Sequence, residues 1–302
     1  MEFLSGNERI TVQGITGREA SGMVEDSLEY GTQIVAGVTP GKGGERVHGV
    51  PVYDTVAEAQ AKHDTDPTVL SVPPFAVLDA ALEALEGEFK LMLIMTERVP
   101  RRDTSKILKR ASEVGCRVIG PNSLGMIRPH RIKIGTIGGR TDAVRRSYMS
   151  GKVAILSRSG GMTTEIASFL TYHGIGQSVA VGVGGDSIIG SDFAELIEVL
   201  EDDPSTEAVV LFGEPGGVAE ERLAKRLSRY PSRLRINAFL AGDFVDEMEG
   251  VRFGHAAAIV EEGRGSVKGK REVLRKAGVH VADAFDGILE GLKKFRVSSG
   301  KL

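Results

Sequence analysis

The chain has 302 residues, a net charge of −3 from 38 Lys and Arg against 41 Asp and Glu, and no tryptophan. The lack of a basic excess and of base-stacking rings argues against a nucleic-acid partner, and no apolar run reaches membrane-spanning length. One cysteine, Cys116, leaves no partner for an internal disulfide; with an N-terminus that lacks a secretory pattern, this predicts a cytoplasmic protein.

Short apolar runs alternate with amphipathic stretches along the chain. In the first half the pattern predicts strands over 10–14, 34–38, 69–72, 91–95 and 118–119, with helices over 21–30, 56–61, 75–85 and 105–114. The stretch 124–150, with its glycines and basic residues, reads as irregular. The second half repeats the alternation, with strands over 153–156, 177–183, 208–212, 235–240 and 256–260 and helices over 163–172, 193–200, 219–227 and 268–277. This order predicts an α/β chain with parallel, doubly wound sheets. The expected division is a domain over 1–128, a linker over 129–150 and a domain over 151–302.

The glycines gather where strands hand over to helices. Gly14-Ile15-Thr16-Gly17 follows the first strand and precedes a helix, where backbone amides and the helix dipole favour a phosphate. The spacing is Gly-x-x-Gly, short of the dinucleotide fingerprint, and an ordinary tight turn reads the same way. Thr39-Pro40-Gly41-Lys42-Gly43-Gly44 follows the second strand. It is not a P-loop, because Gly43 stands where a magnesium-binding hydroxyl would be. Lys42 is either a point charge for a phosphate or a solvated turn lysine.

Ser157-Arg158-Ser159-Gly160-Gly161 ends a strand and opens a helix, which makes an anion site or a plain N-cap. It does not match the Gly-x-Ser-x-Gly elbow of serine hydrolases. Glu214, in Gly213-Glu214-Pro215-Gly216-Gly217, stands at the carboxyl end of an apolar strand, where such sheets bind ligands. His255 lies in Gly254-His255-Ala256-Ala257-Ala258-Ile259. A lone histidine is usually structural. With Glu214 orienting one ring nitrogen, the other could attack phosphorus. No metal-ligand spacing of His, Cys, Asp or Glu is present, so no metal site is expected in this chain.

Taken in order, these pieces resemble the succinyl-CoA synthetase α-subunit family, which includes the citryl-CoA synthetase small subunit and the matching part of ATP-citrate lyase. The resemblance runs nearly the full length, through Gly14-Ile15-Thr16-Gly17, residues 37–44, Val72-Pro73-Pro74, Thr96-Glu97-Arg98-Val99-Pro100, Gly120-Pro121-Asn122, Ser157-Arg158-Ser159-Gly160, Gly184-Gly185-Asp186, Gly213-Glu214 and Gly254-His255-Ala256. It implies a CoA-binding Rossmann-like domain followed by a flavodoxin-like ligase domain. It implies a partner β subunit of ATP-grasp type that holds ATP and Mg2+, in a heterodimer or heterotetramer. By the same resemblance His255 carries the phosphoryl group and Glu214 holds its imidazole. Ser159, Gly160 and Gly161 receive the phosphate or acid. Gly14, Thr16, Gly17, Lys42, Pro73, Glu97 and Asn122 line the CoA site.

Several positions depart from the succinate-type pattern. Ser123 replaces a cysteine, Gly161-Met162 replaces Thr-Leu, and Pro215 replaces an isoleucine. The Gly160-Gly161-Met162 form, residues 133–139 and residues 18–23 resemble citrate-acting relatives, and loss of a threonine side chain near the acid opens room for a bulkier one. Citrate is therefore the first expected acid and succinate the second; cleavage of citryl-CoA by this chain alone is not expected. A reading of another class is a non-catalytic CoA-binding protein on the same scaffold, for which His255 and Glu214 would be dispensable. An NAD-dependent oxidoreductase is disfavoured because neither Ala36 nor Gly37 supplies the acidic ribose ligand.

Overall fold

The computed structural model describes residues 3–243 and 265–295. The chain forms two compact units, one of Leu4–Val144 with Gly184–Gly190, the other of Arg145–Val183 with the described residues from Ser191 onward.

The first unit begins β1 (Arg9–Gln13), α1 (Arg18–Tyr30), β2 (Gln33–Val38), β3 (Arg46–Val47), β4 (Val50–Tyr53) and α2 (Val56–Gln60). It continues β5 (Thr68–Leu70), a 3-10 turn at Pro74–Ala76, α3 (Val77–Glu86), β6 (Leu91–Ile94), α4 (Arg101–Val114), β7 (Arg117–Ile119), β8 (Met126–Arg128) and β9 (Ile132–Ile134). The sheet order is β3-β4-β2-β1-β5-β6-β7, parallel except for the β3–β4 pair. Strands covered on both faces need apolar side chains throughout, and Val12, Ala36, Leu70, Met92 and Ile94 are fully or almost fully buried. Helices α2, α3 and α4 pack with the sheet around one apolar core. The strand order reverses direction at β1, so right-handed crossovers put α1 on the opposite face. Cys116 is buried in the core, which pushes its thiol up to about 11 and leaves it unreactive at neutral pH.

Helix α5 (Thr141–Ser147) leads into β10 (Ser150–Ser157), α6 (Gly160–Tyr172), β11 (Gln177–Gly182), α7 (Phe193–Glu201) and β12 (Ala208–Gly213). Then come α8 (Ala219–Arg229), β13 (Arg235–Leu240), α9 (Val267–Lys276), β14 (His280–Ala282) and a 3-10 run over Phe285–Phe295. Five strands of the second unit run parallel in the order β14-β13-β12-β10-β11. The winding of the first unit is thus repeated, with β10 in the place of β1. Four rings stack in series through this unit. Phe212 faces Phe239 at 6.2 Å between centroids, Phe239 faces Phe285 at 5.7 Å, and Phe285 faces Phe169 of α6 at 4.8 Å.

The doubly wound α/β expectation holds in both units. The pattern missed β3, β4, β8, β9 and β14, whose two to four residues are too short for a readable alternation. Residues 124–150, expected to be irregular, supply the antiparallel β8–β9 hairpin, α5 and the start of β10. The strand expected over 256–260 lies outside the described residues. No helix among the described residues is long and apolar enough to cross a membrane.

The β9 strand carries an unusual burden. Lys133 is fully buried, and its Nζ finds no hydrogen-bond partner among the described residues. Burial pushes its ammonium below the ordinary value of 10.5, while Asp26 and Glu29 of α1 pull it back. Only its backbone is satisfied, donating to Thr32 Oγ1 (3.0 Å) and accepting from it (2.7 Å). Lys133→Met is expected to raise the unfolding free energy by about 1–3 kcal/mol, read from urea titration. The parent's stability should rise with pH between the lowered folded value and 10.5, because the unfolded chain then binds the extra proton; the variant should lose that slope.

Candidate functional site

The carboxyl edge of the first sheet gathers the loops that follow β1, β2, β5, β6 and β7. The order reverses at β1, and a crevice opens at such a switch point. The loop after β1 turns at Gly14, whose φ is +79°. A Cβ there would meet the Ser71 carbonyl oxygen at 2.3 Å, so only glycine lets this turn lie against the loop after β5. The Gly14 amide donates to the Val38 carbonyl (2.7 Å), which ties the turn to β2. Gly17 is the N-cap of α1 and offers no side-chain cap. The first-turn amides of α1 therefore keep donor capacity for an anion. Thr16 Oγ1 donates to Thr39 Oγ1 at 3.3 Å.

Lys42 lies at the rim and pairs with Glu45 at 3.0 Å, both half exposed. Its loop is held by Asp54, which accepts the Gly43 amide at 2.9 Å. Pro73 is exposed just beyond β5, beside Phe75, whose side chain is 85% exposed. Glu97 is exposed and lies 3.5 Å from Arg98. The loops after β5, β6 and β7 are laced together. Thr96 Oγ1 donates to the Val72 carbonyl (2.7 Å), and the Asn122 amide donates to the Thr96 carbonyl (2.9 Å). The Asp186 carboxylate seals this lacing. Burial pushes it up, while hydrogen bonds from the Arg98 amide, the Asn122 side chain and the Val99 amide hold it down. Gly14, Thr16, Gly17, Lys42, Pro73, Glu97 and Asn122 thus share one edge of one sheet.

The second unit has its own edge. Its order reverses at β10, between β11 and β12. Ser157 is in register with Phe212 on the neighbouring strand, so the loops after β10 and β12 stand side by side. Ser159 caps α6, its Oγ accepting the Met162 amide at 3.4 Å. Ser157 Oγ steadies it, accepting the Ser159 amide (3.1 Å) and donating to its carbonyl (2.7 Å). Helix geometry leaves the amides of Gly160 and Gly161 without intrahelical acceptors. A Cβ on Gly161 would meet nothing within 4 Å, so this exposed helix start is open. The half-buried Glu214 follows β12 directly. The buried Arg158 guanidinium reaches toward the same loop, with Nη1 at 3.0 Å from the Cβ position of Gly217.

His255 and its neighbours lie outside the described residues. The chain on either side of them does not. The Ala241 amide donates to the Gly213 carbonyl at 3.3 Å, and the Gly216 amide donates to the Gly265 carbonyl at 2.8 Å. The described chain before and after His255, at Ala241 and Gly265, is therefore bonded to the loop of Glu214.

Sequence reasoning missed three residues of this region. Lys270 of α9 forms a buried ion pair with Glu220 of α8, and Arg271 of α9 donates to the Leu240 carbonyl at 2.8 Å. Nothing in the local sequence sets these residues apart from the other charged residues of α8 and α9. Among the described residues, no three His, Cys, Asp or Glu side chains come together as a metal site.

Comparison with known proteins matches residues 6–98 to a CoA binding domain and residues 156–280 to a CoA-ligase domain. The chain is 42% identical over 294 residues to the succinate–CoA ligase [ADP-forming] subunit alpha of Methanothermobacter thermautotrophicus, covering 97% of this chain and 96% of that one. It is 38% identical over 281 residues to the ADP-forming sulfoacetate-CoA ligase subunit SqwL of an Acholeplasma species, covering 93% of each. Its fold matches the ATP citrate lyase of Methanothrix soehngenii, solved with citrate and coenzyme A, at a TM-score of 0.88 and 24% identity. That match covers 96% of this chain and spans about half, 49%, of the other.

Proposed function

Because the chain belongs to the family of ADP-forming succinate–CoA ligase α subunits, we propose that it works with a β subunit of ATP-grasp type as a carboxylate–CoA ligase whose phosphoryl carrier is His255. The observation that supports this most is that the chain on both sides of His255, at Ala241 and Gly265, is hydrogen-bonded to the Glu214 loop, at Gly213 and Gly216.

The reaction takes three transfers. One imidazole nitrogen of His255 attacks the γ-phosphorus of ATP held by the partner, and ADP leaves. A carboxylate oxygen of the acid then attacks that phosphorus, the N–P bond breaks, and an acyl phosphate forms. The CoA thiolate attacks the acyl carbon, and inorganic phosphate leaves with the C–O bond's electrons. Glu214 accepts the other ring N–H, so that the attacking lone pair faces phosphorus. Ser159 and the Gly160 and Gly161 amides stabilise the phosphoryl oxygens at the start of α6. On the first unit, the α1 start at Gly14, Thr16 and Gly17 and the cation of Lys42 suit the phosphates of CoA. Pro73, Glu97 and Asn122 border its path, and the exposed Phe75 ring offers a face for a base.

For the acid we propose citrate first, on the open space at Gly161 and the replacements at Met162 and Pro215. Succinate is the second reading, favoured by the identity to the archaeal relatives. The purified chain mixed with its β subunit, ATP, Mg2+ and CoA, then offered citrate, succinate, malate or sulfoacetate, decides by mass spectrometry of the thioester. Absence of any thioester, together with absence of phosphate on His255, overturns the ligase reading. Succinyl-CoA alone overturns citrate. Glu214→Gln should slow His255 phosphorylation by about 10²–10³-fold, because an amide oxygen holds the imidazolium less well than a carboxylate. Single-turnover labelling with γ-labelled ATP reads that rate.

A further inference from the structure

We propose that Glu220 and Lys270 are positioning residues for phosphoryl transfer, holding the Glu214 loop in register with the start of α9. The inference rests on the ligase reading above. Lys270 is fully buried and Glu220 is 1% exposed, and Lys270 Nζ is bonded to Glu220 Oε2 and, at 3.2 Å, to Glu221 Oε2. A buried ion pair contributes little net stability compared with apolar residues of the same volume. Lys270 also sits in the first turn of α9, where the helix dipole opposes a cation. Neither the helix nor the core asks for this pair, so its use lies in what it fixes.

Its position is informative. Glu220 is the second residue of α8, directly after the Gly213–Gly217 loop. Its Oε1 finds no hydrogen-bond partner among the described residues and lies 2.5 Å from the Cβ position of Gly213. Any side chain at residue 213 would push the carboxylate away, which accounts for glycine immediately before Glu214. Lys270 belongs to the helix that starts just after Gly265, the residue bonded to Gly216. The next residue, Arg271, donates to the Leu240 carbonyl at 2.8 Å and pairs with Asp243 at 2.9 Å, where the chain leaves β13. Adjacent residues of α9 thus hold the end of β13 and the Glu214 loop, Arg271 through Leu240 and Asp243, and Lys270 through a carboxylate packed against the backbone of Gly213.

The test uses the complex with the β subunit and two variants, Glu220→Gln and the double variant Glu220→Gln with Lys270→Met. The double variant leaves no unpaired buried charge, so it is expected to fold and melt close to the parent. Both should phosphorylate His255 about 10- to 100-fold more slowly, the effect of a small misplacement of reacting groups, while KM for CoA is unchanged. Parental phosphorylation rates in both variants overturn the proposal. So does a loss that only matches a smaller folded fraction, with the molecules that remain folded labelled at the parental rate. Absence of label on the parent complex is a different failure, that of the ligase reading itself.

Discussion

His255→Asn in the assembled complex is expected to abolish labelling from γ-labelled ATP and to lower kcat for thioester formation by about 10⁴-fold or more, as loss of a covalent nucleophile does. The neutral imidazole has a lone pair at physiological pH, and the amide of asparagine has no comparable nucleophile. The melting temperature and the affinity for CoA should stay at parental values, because the proposed CoA residues belong to the other unit. Three measurements separate the readings: acid-labile phosphate on the α chain, thioester yield and CoA titration by calorimetry. A variant that still forms labelled protein would move the carrier role away from His255. A parent chain that binds CoA but never takes label would instead be a CoA-binding protein without this chemistry. Glu214→Gln differs in kind, since it slows phosphorylation and leaves the labelled species detectable.

Gly14→Ala is expected to have the largest effect on the first unit. The backbone there is left-handed, at φ +79°, and the new Cβ would lie 2.3 Å from the Ser71 carbonyl oxygen and 2.8 Å from Val72 Cγ1. The conformational penalty is about 1–2 kcal/mol and the forced shift of packed backbone adds a similar amount, so a loss of about 3 kcal/mol is expected from denaturant titration. The shift moves the α1 start away from the loop after β5, and CoA affinity should fall about tenfold or more. Gly22→Ala is the matched control. It lies within α1, its Cβ would meet nothing within 4 Å, and its φ is not positive, so it should stabilise by about 0.5–1 kcal/mol. Equal losses from both substitutions would remove the steric account of Gly14.

Much of this arrangement is legible from local pattern. The Val153–Leu156 core of β10 and the run Ala208–Phe212 in β12 are unbroken apolar stretches, and the glycine-rich turns after these strands mark the sheet edges where ligands gather. That pattern puts Ser159 and Glu214, 55 positions apart, at strand ends, and the register of Ser157 with Phe212 makes their loops neighbours. What local pattern misses is set by tertiary partners. The strands Arg46–Val47 and Val50–Tyr53 exist because they pair with each other and with β2, not because two or four residues carry a period. Lys270 reads as one more solvated helix lysine until α8 brings Glu220 against it. Lys133 lies in a stretch that reads as irregular and basic, yet the hairpin and α1 enclose it. Lys42 and Glu97 carry the opposite lesson. Charge singles out Lys42 and the resemblance singles out Glu97, and the fold leaves each on the surface beside an oppositely charged neighbour.

The series of four rings bears on how variation in this chain should be interpreted. Phe212 immediately precedes Gly213-Glu214, and Phe169 belongs to the helix that Ser159 opens, with Phe239 and Phe285 filling the space between. Interiors packed at crystal density yield little volume, so displacement of one ring is handed to the next. Phe285, which opens the 3-10 run over Phe285–Phe295, is therefore a brace between α6 and β13, behind the loops of Ser159 and Glu214. Polymorphism at Phe285, far along the chain from either loop, belongs with variants that detune alignment rather than with those of a dispensable tail.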